Sequence, residues 1–257
     1  MAAPSHPFDL SDTRALVTGA GSGLGFAIAR GLALAGAAIA INGRNRDKLA
    51  AAKDALAREG IDAHLAPFDV TEAGAVAAGV AEVERTLGPV DILVNNAAMN
   101  QRKSLEDFTP DEWRALMATN LDGPFLVTRA LLPSMKARKS GKIINICSLA
   151  ADIGRPNIVP YAASKGALRM LTRALAVELA SHDIQVNGIS PGFFKTEMNA
   201  PLIADAEFSA WVARRTPAGR WGDPSEIAGA AVFLASKAAG YVTGHVLYVD
   251  GGFSAAY

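Results

Sequence analysis

Short runs of apolar residues recur along the chain, and longer stretches of mixed apolar and polar residues separate them. The runs occupy residues 15–17, 38–41, 64–66, 92–94, 143–146, 184–186 and 246–249. Apolar runs of this length are typical of strands that are buried on both faces of a sheet. The pattern therefore predicts about seven strands, and the run at 64–66 is the weakest candidate.

The stretches between the runs carry apolar residues at helical spacing. We predict helices over residues 47–58, 71–86, 109–138 and 161–180, with a break inside the third, and a further helix that begins near Phe26. Thr71 and Thr109 mark two of the starts, because a side-chain hydroxyl can cap the free N–H groups of a first helical turn. Pro110 suits the first position after its cap.

This alternation of strands and helices predicts an α/β fold. We expect a single doubly wound Rossmann domain over residues 1–257, with a parallel sheet of about seven strands and helices on both faces. In such sheets ligands bind at the carboxyl ends of the strands, so functional residues should follow the apolar runs directly. Residues 1–8 are expected to form a loose tail.

Composition excludes several classes of protein. The chain has 257 residues, of which 50% are hydrophobic, and its 25 Lys and Arg balance its 25 Asp and Glu. Such a chain can bury a large core, and its zero net charge argues against nucleic acid or an anionic membrane as a partner. A single cysteine, Cys147, and scattered histidines offer no disulfide and no metal site. Without a signal-peptide pattern or a long apolar segment, we expect a cytoplasmic protein.

A glycine-rich segment follows the first apolar run. Residues 18–25 read Thr-Gly-Ala-Gly-Ser-Gly-Leu-Gly, directly before a predicted helix. Glycines let a backbone approach a ligand closely, and a helix N-terminus attracts phosphate. The spacing of Gly19, Gly23 and Gly25 differs from the usual dinucleotide fingerprint and from a P-loop, and it could be an ordinary turn. Its position between a strand and a helix favours a dinucleotide site.

The residues at the end of the second run bear on the choice of cofactor. An acidic residue at this place would bind the ribose 2′-hydroxyl of NAD, but here Gly43 and Arg44 occupy it. A guanidinium suits a 2′-phosphate because its planar fork can donate two hydrogen bonds. We therefore favour NADP(H). NAD(H) remains possible if Arg44 is only a solvated residue at a helix start.

Tyr161 and Lys165 lie one turn apart on a predicted helix, so their side chains share a face. A free tyrosine has a pKa of about 10, and a nearby ammonium favours its phenolate. Ser148 follows the fifth run, where its hydroxyl can bond the reacting oxygen of a carbonyl or an alcohol. A Tyr-x-x-x-Lys pair alone is common on surface helices. Together with Ser148 and the upstream glycine-rich segment, the pair predicts a catalytic centre.

Asn120 lies inside the third predicted helix, shortly before Gly123 and Pro124. Glycine and proline are expected to interrupt the helix there and to free backbone carbonyls. Those carbonyls could hold a water beside Lys165 and complete a proton path to solvent. Alternatively, Asn120 only caps the break.

Together, these residues resemble the classical short-chain dehydrogenase/reductase family over nearly the whole chain. The motifs that carry the resemblance are residues 18–25, Asn95-Asn96-Ala97-Ala98, Asn120, Ser148, Tyr161 with Lys165, and residues 191–196. We expect an NADP(H)-dependent oxidoreductase that interconverts a secondary alcohol and a ketone. In it, Tyr161 is the acid and base and Ser148 orients the reacting oxygen. Lys165 holds the nicotinamide ribose and lowers the pKa of Tyr161, and Asn120 relays protons through water.

The resemblance also implies a set of residues around the cofactor. Asp69 and Val70 would flank the adenine, Ala97 would lie beside its ribose, and residues 191–196 would border the nicotinamide. The expected cofactor-binding residues are Gly19, Ser22, Gly23, Leu24, Gly25, Arg44, Asp69, Val70, Asn96, Ala97, Tyr161, Lys165, Pro191, Gly192, Phe194 and Thr196.

Within the family, several stretches are similar to gluconate 5-dehydrogenases, among them residues 141–148 and 191–198. This similarity favours a sugar acid, gluconate or 5-ketogluconate, as the small-molecule substrate. Arg102 and Arg155 are then the candidates for the substrate carboxylate, and Ser148 and Tyr161 would meet the reacting oxygen. Gln101, Asp152 and Asn157 are candidates for the hydroxyls. Residues 199–215 are the expected substrate lid.

Two alternatives stay open. The same stretches are shared in part with 3-oxoacyl-carrier-protein reductases, for which Arg129 and Arg173 could form an external basic patch. The fold could also serve a non-catalytic NADP-binding regulatory subunit, although Ser148, Tyr161 and Lys165 argue against it. In either case, the family resemblance implies a homotetramer.

Overall fold

Each apolar run forms a strand of one parallel sheet in the computed structural model, which describes residues 6–256. The strands are β1 (Arg14–Val17), β2 (Ala38–Asn42), β3 (Ala63–Ala66), β4 (Ile92–Asn95), β5 (Gly141–Ile146), β6 (Ile184–Pro191) and β7 (Val246–Val249). Their order across the sheet is β3-β2-β1-β4-β5-β6-β7, and all neighbouring strands pair in parallel. The predicted fold class and the seven strands are confirmed.

The helices cover both faces of the sheet. They are α1 (Gly23–Leu34), α2 (Arg46–Ala57), α3 (Ala73–Leu87), α4 (Pro110–Met117), α5 (Gly123–Arg138), α6 (Val159–Leu179), α7 (Ala200–Ala204), α8 (Ala206–Arg215) and α9 (Ala228–Ala235). Side chains of α1, α2 and α9 share one apolar core with Ala15 and Val17 of β1, whereas α3, α5 and α6 share another with Leu16. Successive residues of β1 therefore enter different cores, as expected for a strand buried on both faces.

The two predicted helix caps have different outcomes. Thr109 caps α4 in a full capping box. The Thr109 hydroxyl accepts from the backbone N–H of Glu112, and the Glu112 carboxylate accepts from the backbone N–H of Thr109. The prediction for Thr71 is wrong, since its hydroxyl donates to Asp69 and α3 begins at Ala73. The sequence pattern also missed the helices α7, α8 and α9.

The break predicted near Asn120 is a widened turn. Residues Ala118–Asp122 form a π-helical turn between α4 and α5, and the N–H of Gly123 donates to the carbonyl of Ala118, five residues back. The chain therefore stays helical through Gly123 and Pro124, in contrast to the expected interruption. Because Pro124 has no N–H, the carbonyl of Asn120 lacks the usual helical donor four residues on.

Residues 1–5 of the expected tail lie outside the described residues. Pro7 and Phe8 touch the domain, since the Pro7 carbonyl accepts from the N–H of Ala238 at 3.2 Å and the ring of Phe8 lies 6.3 Å from that of Phe233. Between residues 6 and 256, no helix is long and apolar enough to cross a membrane. Within the same range, no three or more His, Cys, Asp or Glu side chains form a group that could hold a metal.

Candidate active site

The glycine-rich segment after β1 is closely packed against the loop that follows β4. Gly19 has a φ of +61°, and a Cβ there would lie 2.7 Å from the Cα of Ala97. A Cβ on Gly25 would overlap the carbonyl oxygen of Gly19 and the side-chain amide of Asn96. Both positions therefore require glycine, and the segment presents backbone rather than side chains to the cleft.

Short polar side chains hold this segment in place. The hydroxyl of Thr18 accepts hydrogen bonds from the backbone N–H groups of Asn96 at 3.0 Å and Ala97 at 3.1 Å. In return, the side-chain amide of Asn96 donates to the carbonyls of Thr18 and Gly19, both at 3.0 Å. These bonds join the loops of two adjacent strands at the centre of the sheet.

The first turn of α1 is suited to an anion. Its N-cap, Ser22, makes no capping hydrogen bond through its side chain, and the first turn contains no acidic residue. Free N–H groups and the positive end of the helix dipole therefore face the cleft. Together with the cradle that a Cβ at Gly19 or Gly25 would fill, this arrangement fits the diphosphate of a dinucleotide.

A cavity of about 570 Å³ lies over the carboxyl ends of β1, β4, β5 and β6. It brings together most of the expected site residues. Those that line it are Gly19, Ser22, Gly23, Leu24, Gly25, Asn96, Ala97, Arg102, Ser148, Arg155, Tyr161, Lys165, Pro191, Gly192, Phe194 and Thr196. The expected residues that do not line it are Arg44, Asp69, Val70 and Asn120.

The expected catalytic side chains meet in this cavity. Ser148 follows β5, and its hydroxyl accepts from the N–H of Ala150 at 3.1 Å. Tyr161 and Lys165 lie on α6. The ammonium of Lys165 is buried, donates to the carbonyl of Ile146 at 2.7 Å and lies 5.7 Å from the centroid of the Tyr161 ring.

The acidity of these groups depends on burial and on a second cation. Burial raises the pKa of Tyr161, while a hydrogen bond with Ser148 and the positive charge of Arg102 act in the opposite direction. Burial lowers the pKa of Lys165 to about 8. Lys165 was the side chain that the sequence analysis expected to lower the Tyr161 pKa, and the positive charge of Arg102 must be added to the charges that act on this phenol.

Arg102 and Arg155 approach the cavity from the loops after β4 and β5. Burial lowers the pKa of Arg155, and the like charge of Arg102 lowers this pKa further. Within residues 6–256, neither guanidinium forms an ion pair with a carboxylate. Arg155 instead stacks over the ring of Phe208, 4.5 Å from its centroid. Two half-buried cations without a counter-ion form a site for an anion.

The side chain of Asn120 lies behind the cavity wall and is fully buried. Its amide oxygen accepts from the N–H of Met99 at 2.8 Å, and its amide nitrogen donates to the Met99 carbonyl at 2.9 Å. The same nitrogen donates to the hydroxyl of Ser164 at 3.1 Å, and that hydroxyl donates to the carbonyl of Tyr161. Asn120 thus ties the loop after β4 to α6, which carries Tyr161 and Lys165, a contact that neither interpretation of the sequence anticipated.

Arg44 lies at the edge of the cleft, exposed to solvent. Its guanidinium is 3.5 Å from a carboxylate oxygen of Asp69. Burial alone would raise the pKa of Asp69, but hydrogen bonds from Thr71 and the charge of Arg44 lower it overall. The side chains of Arg44, after β2, and Asp69, after β3, therefore face each other, and their contacts with the adenosine stay a prediction.

The comparisons with known proteins agree with this geometry. A family model described as enoyl-(acyl carrier protein) reductase matches residues 19–254. The gluconate 5-dehydrogenase of Gluconobacter oxydans (strain 621H) is 49% identical over 252 residues, which cover 97% of this chain and 98% of that protein. The chain belongs to the short-chain dehydrogenase/reductase family.

Further members of the short-chain dehydrogenase/reductase family are similar to a comparable degree. The 5-keto-D-gluconate 5-reductase of Escherichia coli (strain K12) is 50% identical over 95% of this chain and 96% of its own length. The crystal structure of a gluconate 5-dehydrogenase from Burkholderia cenocepacia J2315, in complex with NADP and tartrate, superposes with a TM-score of 0.94 at 51% identity. The superposition covers 98% of both chains. The resemblance inferred from the motifs is therefore confirmed, and the protein is an oxidoreductase of this family.

Three polar residues that the sequence offered for the substrate hydroxyls do not line the cavity. Asp152 pairs with Arg169 and accepts from the hydroxyl of Tyr248, and Gln101 donates to Glu112. Neither side chain lines the cavity, and neither does Asn157, the third candidate. Loop residues after a strand were expected to face the ligand, but the side chains of Asp152 and Gln101 bond to other side chains of the protein.

Other residues were missed. Asn100 lines the cavity, and its amide oxygen is buried without a hydrogen-bond partner. Its place shortly after β4 was the signal that could have found it. Phe193 packs its ring against those of Trp211 and Phe253 at 5.8 and 5.3 Å, and all three line the cavity. They join segments far apart in sequence, which no local pattern reveals.

Proposed function

We propose that this member of the short-chain dehydrogenase/reductase family interconverts gluconate and 5-ketogluconate with NADP(H). The observation that carries the proposal is the pair Arg102 and Arg155, two cations without a counter-ion in the same cavity as Tyr161 and Ser148. A substrate with a carboxylate and a ketone separated by a short carbon chain can use both groups at once. The similarity to a gluconate 5-dehydrogenase (49% sequence identity) and to a 5-keto-D-gluconate 5-reductase (50% sequence identity) supports this choice.

NADP(H), when bound, supplies or accepts a hydride at its nicotinamide. The glycine-rich segment and the free N–H groups of α1 hold the diphosphate, with Ser22 and Leu24 at the turn. Arg44 binds the 2′-phosphate, and Asp69 and Val70 flank the adenine. At the other end, the residues that border the nicotinamide and its ribose are Lys165, Pro191, Gly192, Phe194 and Thr196.

The reaction requires one proton to move to or from the substrate oxygen. In the direction of reduction, Tyr161 donates its phenolic proton to the ketone oxygen as that oxygen gains electron density. Ser148 donates a hydrogen bond to the same oxygen and orients it. In oxidation, Tyr161 takes the proton from the alcohol. Lys165, beside the phenol, exchanges this proton with solvent through water that bonds to the carbonyl of Asn120, which lacks the usual helical donor four residues on because Pro124 has no N–H.

The substrate is held by charge at one end and by an apolar wall on one side. Arg102 and Arg155 bind the carboxylate, which relieves the repulsion between the two guanidinium groups. Phe193 and Trp211 pack against the carbon chain. Residues 199–215 close over the substrate as the lid, because α7 and α8 contribute Leu202 and Trp211 to the cavity.

We also propose that the protein acts as a homotetramer in the cytoplasm. Phe125 of α5 and Met170 and Val177 of α6 are exposed apolar side chains on neighbouring helices. Exposed apolar groups of this kind are typical of subunit interfaces. Light scattering on the purified protein should give the mass of four chains, and the mass of a single chain would contradict this assembly.

One spectrophotometric experiment separates the candidate functions. NADPH oxidation is followed with 5-ketogluconate and, separately, with an acetoacetyl thioester, and both assays are repeated with NADH. We expect turnover with 5-ketogluconate and preference for NADPH. Turnover with the thioester alone would instead support a 3-oxoacyl-carrier-protein reductase. NADPH binding without oxidation by a broad panel of ketones would support a regulatory subunit.

A further inference from the structure

Asn199 makes a two-sided contact at the start of the lid. Its amide oxygen accepts a hydrogen bond from a terminal nitrogen of Arg102 at 3.0 Å. Its amide nitrogen donates to the backbone carbonyl of Phe194 at 3.0 Å. The carbonyl of Met198 accepts from the other terminal nitrogen of Arg102 at 3.3 Å. The segment directly before α7 therefore holds the tip of Arg102 and is itself fixed to the loop after β6.

The loop that carries the backbone of Arg102 is fixed by a separate part of the chain. The backbone of Met99, three residues earlier, is bonded on both sides by the side chain of Asn120. The Arg102 side chain therefore extends from a fixed loop, and its guanidinium bonds to the first residues of the lid. Its Nε atom is buried and has no hydrogen-bond partner. A guanidinium has five N–H donors, and the two bonds to residues 198 and 199 leave donors for a ligand.

The residue type at position 199 suits this arrangement. A neutral amide accepts from Arg102 without cancelling its charge, whereas a carboxylate would form a permanent ion pair there. The amide also holds Arg102 in place against the repulsion of Arg155, which lines the same cavity. The bond to the Phe194 carbonyl fixes which way the amide points, because only its nitrogen can donate.

We infer that Asn199 positions Arg102 for the substrate carboxylate, so that recognition of an anionic substrate depends on the first residue of the lid. This inference rests on the proposed function, in which Arg102 binds that carboxylate. Asn199 acts as a positioning residue and does not take part in proton transfer. Because the bonds to Met198 and Asn199 leave other donors of the guanidinium free, Arg102 can bind the carboxylate while its bonds to the start of the lid are kept.

The test compares Asn199→Asp and Asn199→Ala with a matched control. Ala77→Asp adds the same charge at an exposed residue of α3, which lies outside the lid and does not line the cavity. For each protein, KM and kcat are measured with NADPH and either 5-ketogluconate or fructose, a neutral ketose of the same carbon number. The dissociation constant of tartrate from the NADP-loaded protein is measured by calorimetry.

We expect Asn199→Asp to raise the KM for 5-ketogluconate and the tartrate dissociation constant by about tenfold, because the new carboxylate competes for Arg102. The kcat with 5-ketogluconate and all constants with fructose should stay within about twofold of those of the unmodified protein. For Asn199→Ala, the KM for 5-ketogluconate and the tartrate dissociation constant should lie between those of the unmodified protein and Asn199→Asp. Ala77→Asp should match the unmodified protein. None of these variants is expected to bind tartrate more tightly than the unmodified protein.

Several outcomes would overturn the inference. They are an equal loss with fructose and 5-ketogluconate, an equal effect of Ala77→Asp, unchanged tartrate binding in Asn199→Asp, or no tartrate binding in the unmodified protein. Failure of the proposed function is distinguishable from these outcomes. If the unmodified protein binds tartrate but reduces no 5-ketogluconate, the proposed substrate is wrong, and the calorimetric series still decides the role of Asn199.

Discussion

The side of the cavity that we propose for the nucleotide and the side that we propose for the substrate are built in different ways. On the nucleotide side, glycines and main-chain groups face the cleft, and Thr18 and Asn96 fix them with short hydrogen bonds. On the substrate side, Arg102 and Arg155 extend from two loops and depend on distant residues for their positions. The first surface is therefore shaped by the sheet itself, whereas the second is assembled only when several segments come together.

The largest expected effect separates chemistry from nucleotide binding. Tyr161→Phe should lower kcat by about a thousandfold, because it removes the group that donates and accepts the proton. The affinity for NADPH, measured by fluorescence titration, should be retained. Tyr248→Phe is the matched control, since the hydroxyl of Tyr248 donates to Asp152 and does not line the cavity. Turnover of the Tyr161 variant near that of the control would refute the catalytic role.

The converse change acts on the nucleotide side. Gly25→Ala places a Cβ into the carbonyl of Gly19 and the amide of Asn96, so it should destabilise the fold by about 3 kcal/mol and weaken NADPH binding. Gly229→Ala, on α9, meets no atom within 4 Å and should leave both properties nearly unchanged. Chemical denaturation and NADPH titration measure the two effects. A Gly25 variant as stable as the Gly229 variant would contradict the close packing.

Lys165 offers a test that depends on pH. Its pKa is lowered from the usual value of 10.5 to about 8, so between these values the unfolded chain binds more protons than the folded protein. The contribution of Lys165 to stability therefore improves as the pH rises through this range. Compared with the unmodified protein, Lys165→Met should lose about 2 kcal/mol of relative stability between pH 7 and pH 10. A difference that does not change with pH, measured by denaturant unfolding, would contradict the lowered pKa.

The smallest expected effect concerns the cofactor preference. Arg44→Ala should raise the KM for NADPH by about tenfold and leave the KM for NADH nearly unchanged, because only NADPH carries the 2′-phosphate. Arg46→Ala is the control, since Arg46 is an exposed residue at the start of α2. An equal loss with both cofactors would show that Arg44 does not distinguish them.

The difference between the two sides also explains what the sequence could predict. The seven strands, the glycine-rich segment and the pair Tyr161 and Lys165 follow from local spacing, because one strand or one helix determines their geometry. The strand-end rule placed Ser148 for the same reason. Arg102 and Arg155 could be named from residue type and position alone, but neither their shared cavity nor their mutual repulsion could be deduced.

The remaining features depend on contacts between distant segments. Asn199 and Arg102 meet across about a hundred residues, and the aromatic wall around Phe193 joins the loop after β6 to α8 and the C-terminal turn. The π-helical turn at Asn120 was taken for an interruption, because glycine and proline usually break helices. There, the bonds between the Asn120 side chain and Met99 stabilise a geometry that local propensity does not favour.

The side chain of Asn120 has a further consequence for how such an enzyme can change. Its two hydrogen bonds to Met99 use only main-chain atoms, so they tolerate other amino acids at that position. After Met99, the residues of the loop that carries Asn100 and Arg102 can change without moving α6, the helix that carries Tyr161. One buried amide thereby lets the residues that contact the substrate vary while the helix that carries Tyr161 keeps its place.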